Sequence, residues 1–116
     1  MKNVRPLHNK AMELAEKAFD LQKKGDAEQA KHYFRQAYEL EREAALLVPI
    51  DEANEPSRSV LFRSAGSLAL NAELYREAER MVSQGLLGYP PYEIATELRE
   101  LFEEIAKHFV HDVQAV

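Results

Sequence analysis

Two histidines, His108 and His111, stand three residues apart near the end of the chain, with Glu104 and Asp112 one turn away, a spacing that could bridge a cation on one helix face. The pattern lacks the glutamate placement and the second element of a zinc-binding helix, so it reads as a solvated face and no metal or other cofactor is expected. His8 and His32 stand alone and read as surface residues. Five carboxylates, Glu93, Glu97, Glu100, Glu103 and Glu104, crowd the last segment. At helical spacing they wrap around the axis instead of converging, so they offer no acid–base pair. No glycine-rich phosphate loop is present. Pro56 to Gly66 places Ser57, Ser59 and Ser64 with Arg58 and Arg63 at the start and along one side of a helix, where free backbone N–H groups could receive an anion; capping alone accounts for Ser57. Nothing here assembles a catalytic site, and no enzymatic activity is expected.

Punctuation at Gly25-Asp26, Pro49 to Pro56 and Tyr89-Pro90-Pro91 divides the chain into segments, all with helical period. Leu7, Ala11, Leu14, Ala18 and Leu21 form one apolar stripe on a helix from about residue 5 to 24, ended by Gly25. Asp26 caps a second helix with the stripe Ala30, Phe34, Ala37, Ala44 and Val48, in which Glu41 is the one polar step. A third helix starts near Pro56 and carries Phe62, Ala65, Leu68, Ala69 and Ala72. After a break at Asn71 to Leu74, a fourth carries Tyr75, Ala78, Val82 and Leu86 up to Gly88. A fifth starts at Pro91 with Ile94, Leu98, Leu101, Phe102, Ile105 and Phe109. No segment alternates with period two, so the fold class is all-α, with about five helices.

With 116 residues, one hydrophobic core and a single domain are expected. Apolar residues make up 46% and charged residues 30%, the balance of a folded chain. Cysteine is absent, which excludes disulfides and thiolate chemistry and fits a reducing compartment. The N-terminal stretch has no apolar run of signal-peptide length, so a cytoplasmic location is expected. Ala44 to Ile50, the longest apolar run, is far short of the roughly 20 residues of a membrane span, so no membrane partner is expected. The net charge of −5 opposes the counterion release that drives nucleic-acid binding, so no nucleic-acid partner is expected.

Small residues recur where a core helix would usually carry Leu or Ile. Two antiparallel helices joined by a short turn approach closely only if their facing side chains are small. That pattern occurs twice, offset by 48 residues: Leu14, Ala18, Leu21, Gly25-Asp26, Ala30, Phe34 and Ala37, then Phe62, Ala65-Gly66, Ala69, Tyr75, Ala78, Val82, Gly85 and Pro90. Each copy resembles a tetratricopeptide repeat, whose length is about 34 residues. The resemblance implies helical hairpins at about residues 5–48 and 56–88, stacked as a short solenoid and closed by a capping helix at about 91–111. Lys17, Arg42 and Ala69 depart from the family pattern. With Arg42 in place of a proline, the second helix runs on through Leu46, Leu47 and Val48, and the upstream turns of the first helix at Val4 and Leu7 are expected to cover it.

In that family the first helix of each pair lines a concave groove that receives a partner segment. The resemblance implies a groove of Met12, Ala15, Phe19, Gln22 and Lys23 on the first helix and Val60, Arg63, Ser67 and Asn71 on the third, with Thr96, Arg99 and Glu103 on the cap. Arg63 and Arg99 would then fall at equivalent heights and suit a partner's carboxylate. The bland alternative pairs Arg99 with Glu103 and leaves Arg63 solvated. The family's Lys and Asn clamp for peptide carboxylates is not reproduced. The expected function is a non-enzymatic module that binds a protein or peptide segment, an acidic segment among the candidates. The alternative is an assembly protein acting as a homodimer through Leu46 and Leu47.

Overall fold

The structure, a computed structural model, describes residues 3–109 and is all-helical there. Five helices follow in order: α1 (Val4–Lys23), α2 (Ala27–Leu46), α3 (Ser57–Asn71), α4 (Tyr75–Leu87) and α5 (Tyr92–Ala106). A single 3₁₀ turn, Glu52–Asn54, lies in the α2–α3 connection. No described helix is long and apolar enough to cross a membrane.

Each break has a local cause. Gly25 takes φ +87, in the left-handed region, and Asp26 then accepts the Gln29 amide at 3.2 Å to cap α2. α2 ends at Leu46, three residues before Pro49, and Val48 remains buried. The α3–α4 turn carries Glu73 at φ 62, tied to α2 by Lys31 at 3.5 Å. Glu28 and Glu73 hold the Lys31 ammonium above its ordinary proton affinity, Glu28 contributing most. Pro91 precedes α5. α5 ends at Ala106, short of the expected residue 111, followed by a turn through Phe109; residues 110 and 111 lie outside those described.

α1 and α2 form one antiparallel hairpin and α3 and α4 a second. They stack through α2 and α3, and α5 packs on both α3 and α4. The small residues lie where the hairpins demand them. Ala11, Ala15 and Ala18 of α1 are buried with Ala30, Ala37, Ala44 and Ala45 of α2. In the second hairpin a Cβ added to Gly66 would stand 3.1 Å from Val82 Cγ2, and one added to Gly85 would stand 3.2 Å from Phe62 Cβ. Phe34 and Phe62 are the largest fully buried side chains, one in each hairpin. Val4 and Leu7 pack onto this core as the extended second helix requires, while Leu46 and Leu47 stay exposed. Lys17, which departs from the repeat pattern, is exposed and sits with Nζ 4.5 Å from the Tyr33 ring centroid, which gives its charge a partner in the hairpin.

Two polar residues of this core depart from the sequence expectation. Glu41 has no exposed surface, and both its carboxylate oxygens lie 2.9 Å from His8 Nδ1. His8 is therefore not an isolated surface residue: it partners the one polar step in the α2 stripe. Arg58 is also buried. Its Nη1 donates to the Gln84 carbonyl at 3.0 Å, at the C-terminal end of α4, and its guanidinium lies 4.7 Å from the Phe62 ring centroid. Burial pulls the Arg58 guanidinium below its ordinary value, with Glu55 opposing.

Candidate functional site

The side chains along one face of α1 recur every three or four residues: Arg5, His8, Met12, Ala15, Phe19 and Lys23 fall on one stripe. At the N-terminal end of the stripe, α1 and α3 stand apart and leave a cleft of about 640 Å³. Val4, Arg5, His8 and Asn9 form one wall, and Ser57, Val60 and Leu61 the other. Val48 lies at the end of α2 between them. Farther along α1 the stripe continues as an open depression of about 570 Å³ lined by Met12, Ala15 and Phe19, with Glu16, Asp20 and Lys23 on its rim. Met12, Phe19 and Lys23, expected to share a groove, are thus brought together.

Phe19 is the most informative of them. Its ring packs edge-on against fully buried Phe34, centroids 4.9 Å apart at 80°, yet 44% of the residue is exposed. One face is held by the core while the other is open, so the ring is rigid and accessible together, the condition under which an aromatic anchors a partner. Asn71 lies at the far end of α3, where it shares a small hollow with Gln22 and Phe34. Ser67 is half-buried on α3 between these positions.

The paired arginine forks do not form. Arg63 Nη1 is engaged by Glu97 Oε2 at 2.7 Å, with Arg63 mostly covered and Glu97 half-exposed. Glu97 is the α5 residue turned toward α3, and Arg99, two positions on, is rotated by about 200°. Arg99 is exposed, and neither the Arg63–Arg99 pairing nor the Arg99–Glu103 pair is among the described contacts. The anion cradle at the start of α3 is likewise dismantled. Arg58 is turned inward to Gln84, and Glu55 Oε1 already accepts the Ser59 amide at 3.1 Å. That carboxylate, not Ser57, caps α3, whereas Ser59 Oγ donates to the Pro56 carbonyl at 3.2 Å.

Of the sequence's candidate cation cluster, His111 and Asp112 lie outside the described residues. His108 stacks on Tyr75 with centroids 4.1 Å apart, and Glu104 pairs with Lys107 at 3.0 Å. No group of three or more His, Asp or Glu side chains converges among the described residues. His32 shares a 2.9 Å hydrogen bond with Gln36 across one helical turn.

The His8–Glu41 pair is the feature of this surface that sequence reading missed. A signal existed: the two residues are 33 apart and nearly symmetric about the Gly25 turn, so an antiparallel hairpin sets them opposite each other. Comparison with protein-family models, with curated proteins and with solved structures gives no match. The functional reading is built on the groove itself.

Proposed function

We propose that the chain is a small tetratricopeptide-like adaptor of the cytoplasm that binds a protein segment along the groove of α1 and α3 and performs no catalysis. The observation that carries this reading is Phe19, an aromatic ring braced by Phe34 and half open in a depression shared with Met12 and Lys23. An open depression along one face of α1, with an apolar anchor point and a charged rim, suits an extended or helical segment better than a small metabolite. Two hairpins with alanine and glycine at their crossings supply the repeat character, and α5 takes the place of the cap.

The test is affinity capture from native extract followed by measurement of the purified partner against Phe19→Ser. A ring that anchors an interface is expected to cost about 2 kcal/mol or more when removed, roughly a thirtyfold loss of affinity. A partner that binds Phe19→Ser as tightly as the parent chain refutes the groove.

A second reading has its own observation. Leu46, Leu47 and Ile50 are all large, apolar and exposed at the end of α2. A second copy of the chain covering that patch would make the protein an assembly factor. Light scattering separates the two: a dimer broken by Leu47→Glu and indifferent to Phe19→Ser favours assembly.

A further inference from the structure

The described helices run alternately up and down, so one end of the stack collects the start of α1, the end of α2, the start of α3, the end of α4 and the start of α5. The His8–Glu41 and Arg58–Gln84 contacts pin these termini together. Seven large apolar side chains are exposed among the described residues, and six of them lie at this end: Leu46, Leu47, Ile50, Leu87, Tyr89 and Tyr92. Phe19, the seventh, sits about 22 Å farther along α1, at a rise of about 1.5 Å per residue.

The patch has two halves, the α2–α3 connection and the α4–α5 corner, and they meet at Gly88. A Cβ added there would stand 3.4 Å from Glu55 Oε2 and 2.6 Å from Arg58 Nη1, so the corner rests directly on the start of α3. Taking about 200 Å² for a whole tyrosine and a little less for leucine or isoleucine, the six side chains expose roughly 600 Å². The largest apolar patch of an ordinary monomer is about 300–600 Å². A standard interface buries about 800 Å² on each partner, about 65% of it apolar where identical chains meet. The six residues therefore supply the apolar centre of one such interface.

The rim selects the occupant. Arg5 and Arg42, the latter one turn before Leu46, stand here with Asp51, Glu52 and Glu93, all exposed. An anionic lipid surface or a nucleic acid would meet more carboxylates than arginines. A two-fold contact instead can set the arginines of one copy against the carboxylates of the other, because both signs lie on the same rim.

We infer that this end of the stack is the contact between two copies of the chain, with the α4–α5 corner taking part alongside the end of α2. The inference rests on the self-association reading above and extends its surface from Leu46 and Leu47 to Tyr92. Both Phe19 depressions lie clear of the contact, so a pair joined end to end keeps two open grooves.

The experiment is sedimentation velocity of the full chain across about 1–100 µM, where dissociation of a dimer shows as a concentration-dependent sedimentation coefficient. A dimer is expected, weakened about tenfold or more by Tyr92→Glu and by Leu47→Glu alike and unchanged by Phe19→Ser. Tyr92 is 80% exposed, and a carboxylate at the first position of α5 complements the helix N-terminus, so Tyr92→Glu folds as the parent does, which circular dichroism verifies. A dimer broken by Leu47→Glu but indifferent to Tyr92→Glu overturns this inference and leaves the self-association reading standing. A chain that stays monomeric throughout, or a dimer indifferent to Leu47→Glu, removes both.

Discussion

Replacing His8 by alanine interrogates the α1–α2 seam. Glu41 has no exposed surface, and His8 Nδ1 at 2.9 Å is its only side-chain hydrogen-bond partner among the described residues. Truncation leaves a carboxylate in a seam of alanines. Leaving a buried carboxyl group without its hydrogen-bond partner costs about 1–3 kcal/mol, and more when the group is charged. His8 itself is 38% exposed, so water can enter the space vacated by the imidazole and recover part of that loss, which brings the expected cost to about 2–3 kcal/mol. With a urea dependence of about 1–3 kcal/mol per molar, the unfolding midpoint followed by circular dichroism should fall by about 1 M or more. Glu41→Gln keeps an acceptor for Nδ1–H and should cost less, about 1 kcal/mol. The decisive arm is Glu41→Leu, which removes the buried charge; in that background His8→Ala should cost well under 1 kcal/mol. A midpoint for His8→Ala equal to the parent's, or an equal loss with and without Glu41, would show that the pair does not hold the seam and refute the reasoning.

Three further outcomes follow from the packing. Gly85→Ala places a methyl group 3.1 Å from Leu98 Cδ1 and 3.2 Å from Phe62 Cβ. The gain in helix propensity is about 1 kcal/mol, but Phe62 Cβ cannot rotate away, so overpacking of about 1–3 kcal/mol wins and the melting temperature falls. Gly25→Ala meets nothing within 4 Å and incurs only the strain of a Cβ at φ +87, about 1–2 kcal/mol; a larger loss by urea titration would contradict that separation of causes. The Tyr38 phenol is pushed above its ordinary value of 10.0, first by burial, then by its 2.9 Å hydrogen bond to Glu77 and that carboxylate's charge. The native state therefore keeps this proton more tightly than the unfolded chain: the contribution is complete below pH 10 and declines as the pH rises toward the native value. Tyr38→Phe should flatten the alkaline loss of stability, measured as the difference between urea midpoints at about pH 8 and pH 11.

The helix starts and the breaks between helices were legible because they are written in local chemistry, whereas the ends of α2 and α5 fall short of the expected residues. Gly25 needs its left-handed backbone, Asp26 caps, and Pro49 and Pro91 deny the helix a continuation. The buried faces were legible too, since Ala30, Phe34, Ala65 and Ala78 repeat at helical spacing. Met12, Phe19 and Lys23 could be grouped because one helix carries all three. What escaped were contacts between helices. Arg63 meets Glu97 because of the rotation of α5 about its own axis, which no local pattern encodes. Arg58 looks like an anion-binding residue in its own segment; only the arrival of the Gln84 carbonyl at the end of α4 draws it inward. The His8–Glu41 pair needed the register of the first hairpin before either residue acquired a meaning.

α1 makes broad contact with α2 alone, whereas α3 is gripped by α2, α4 and α5. Amide protons along α1 should accordingly exchange with solvent sooner than those of α3, because the outer helix can peel away without disturbing the rest. The wall that carries Phe19 is then also the piece of the fold with most protection left to gain. Whatever settles against it would slow that exchange, giving a readout of occupancy that needs no label on the visitor.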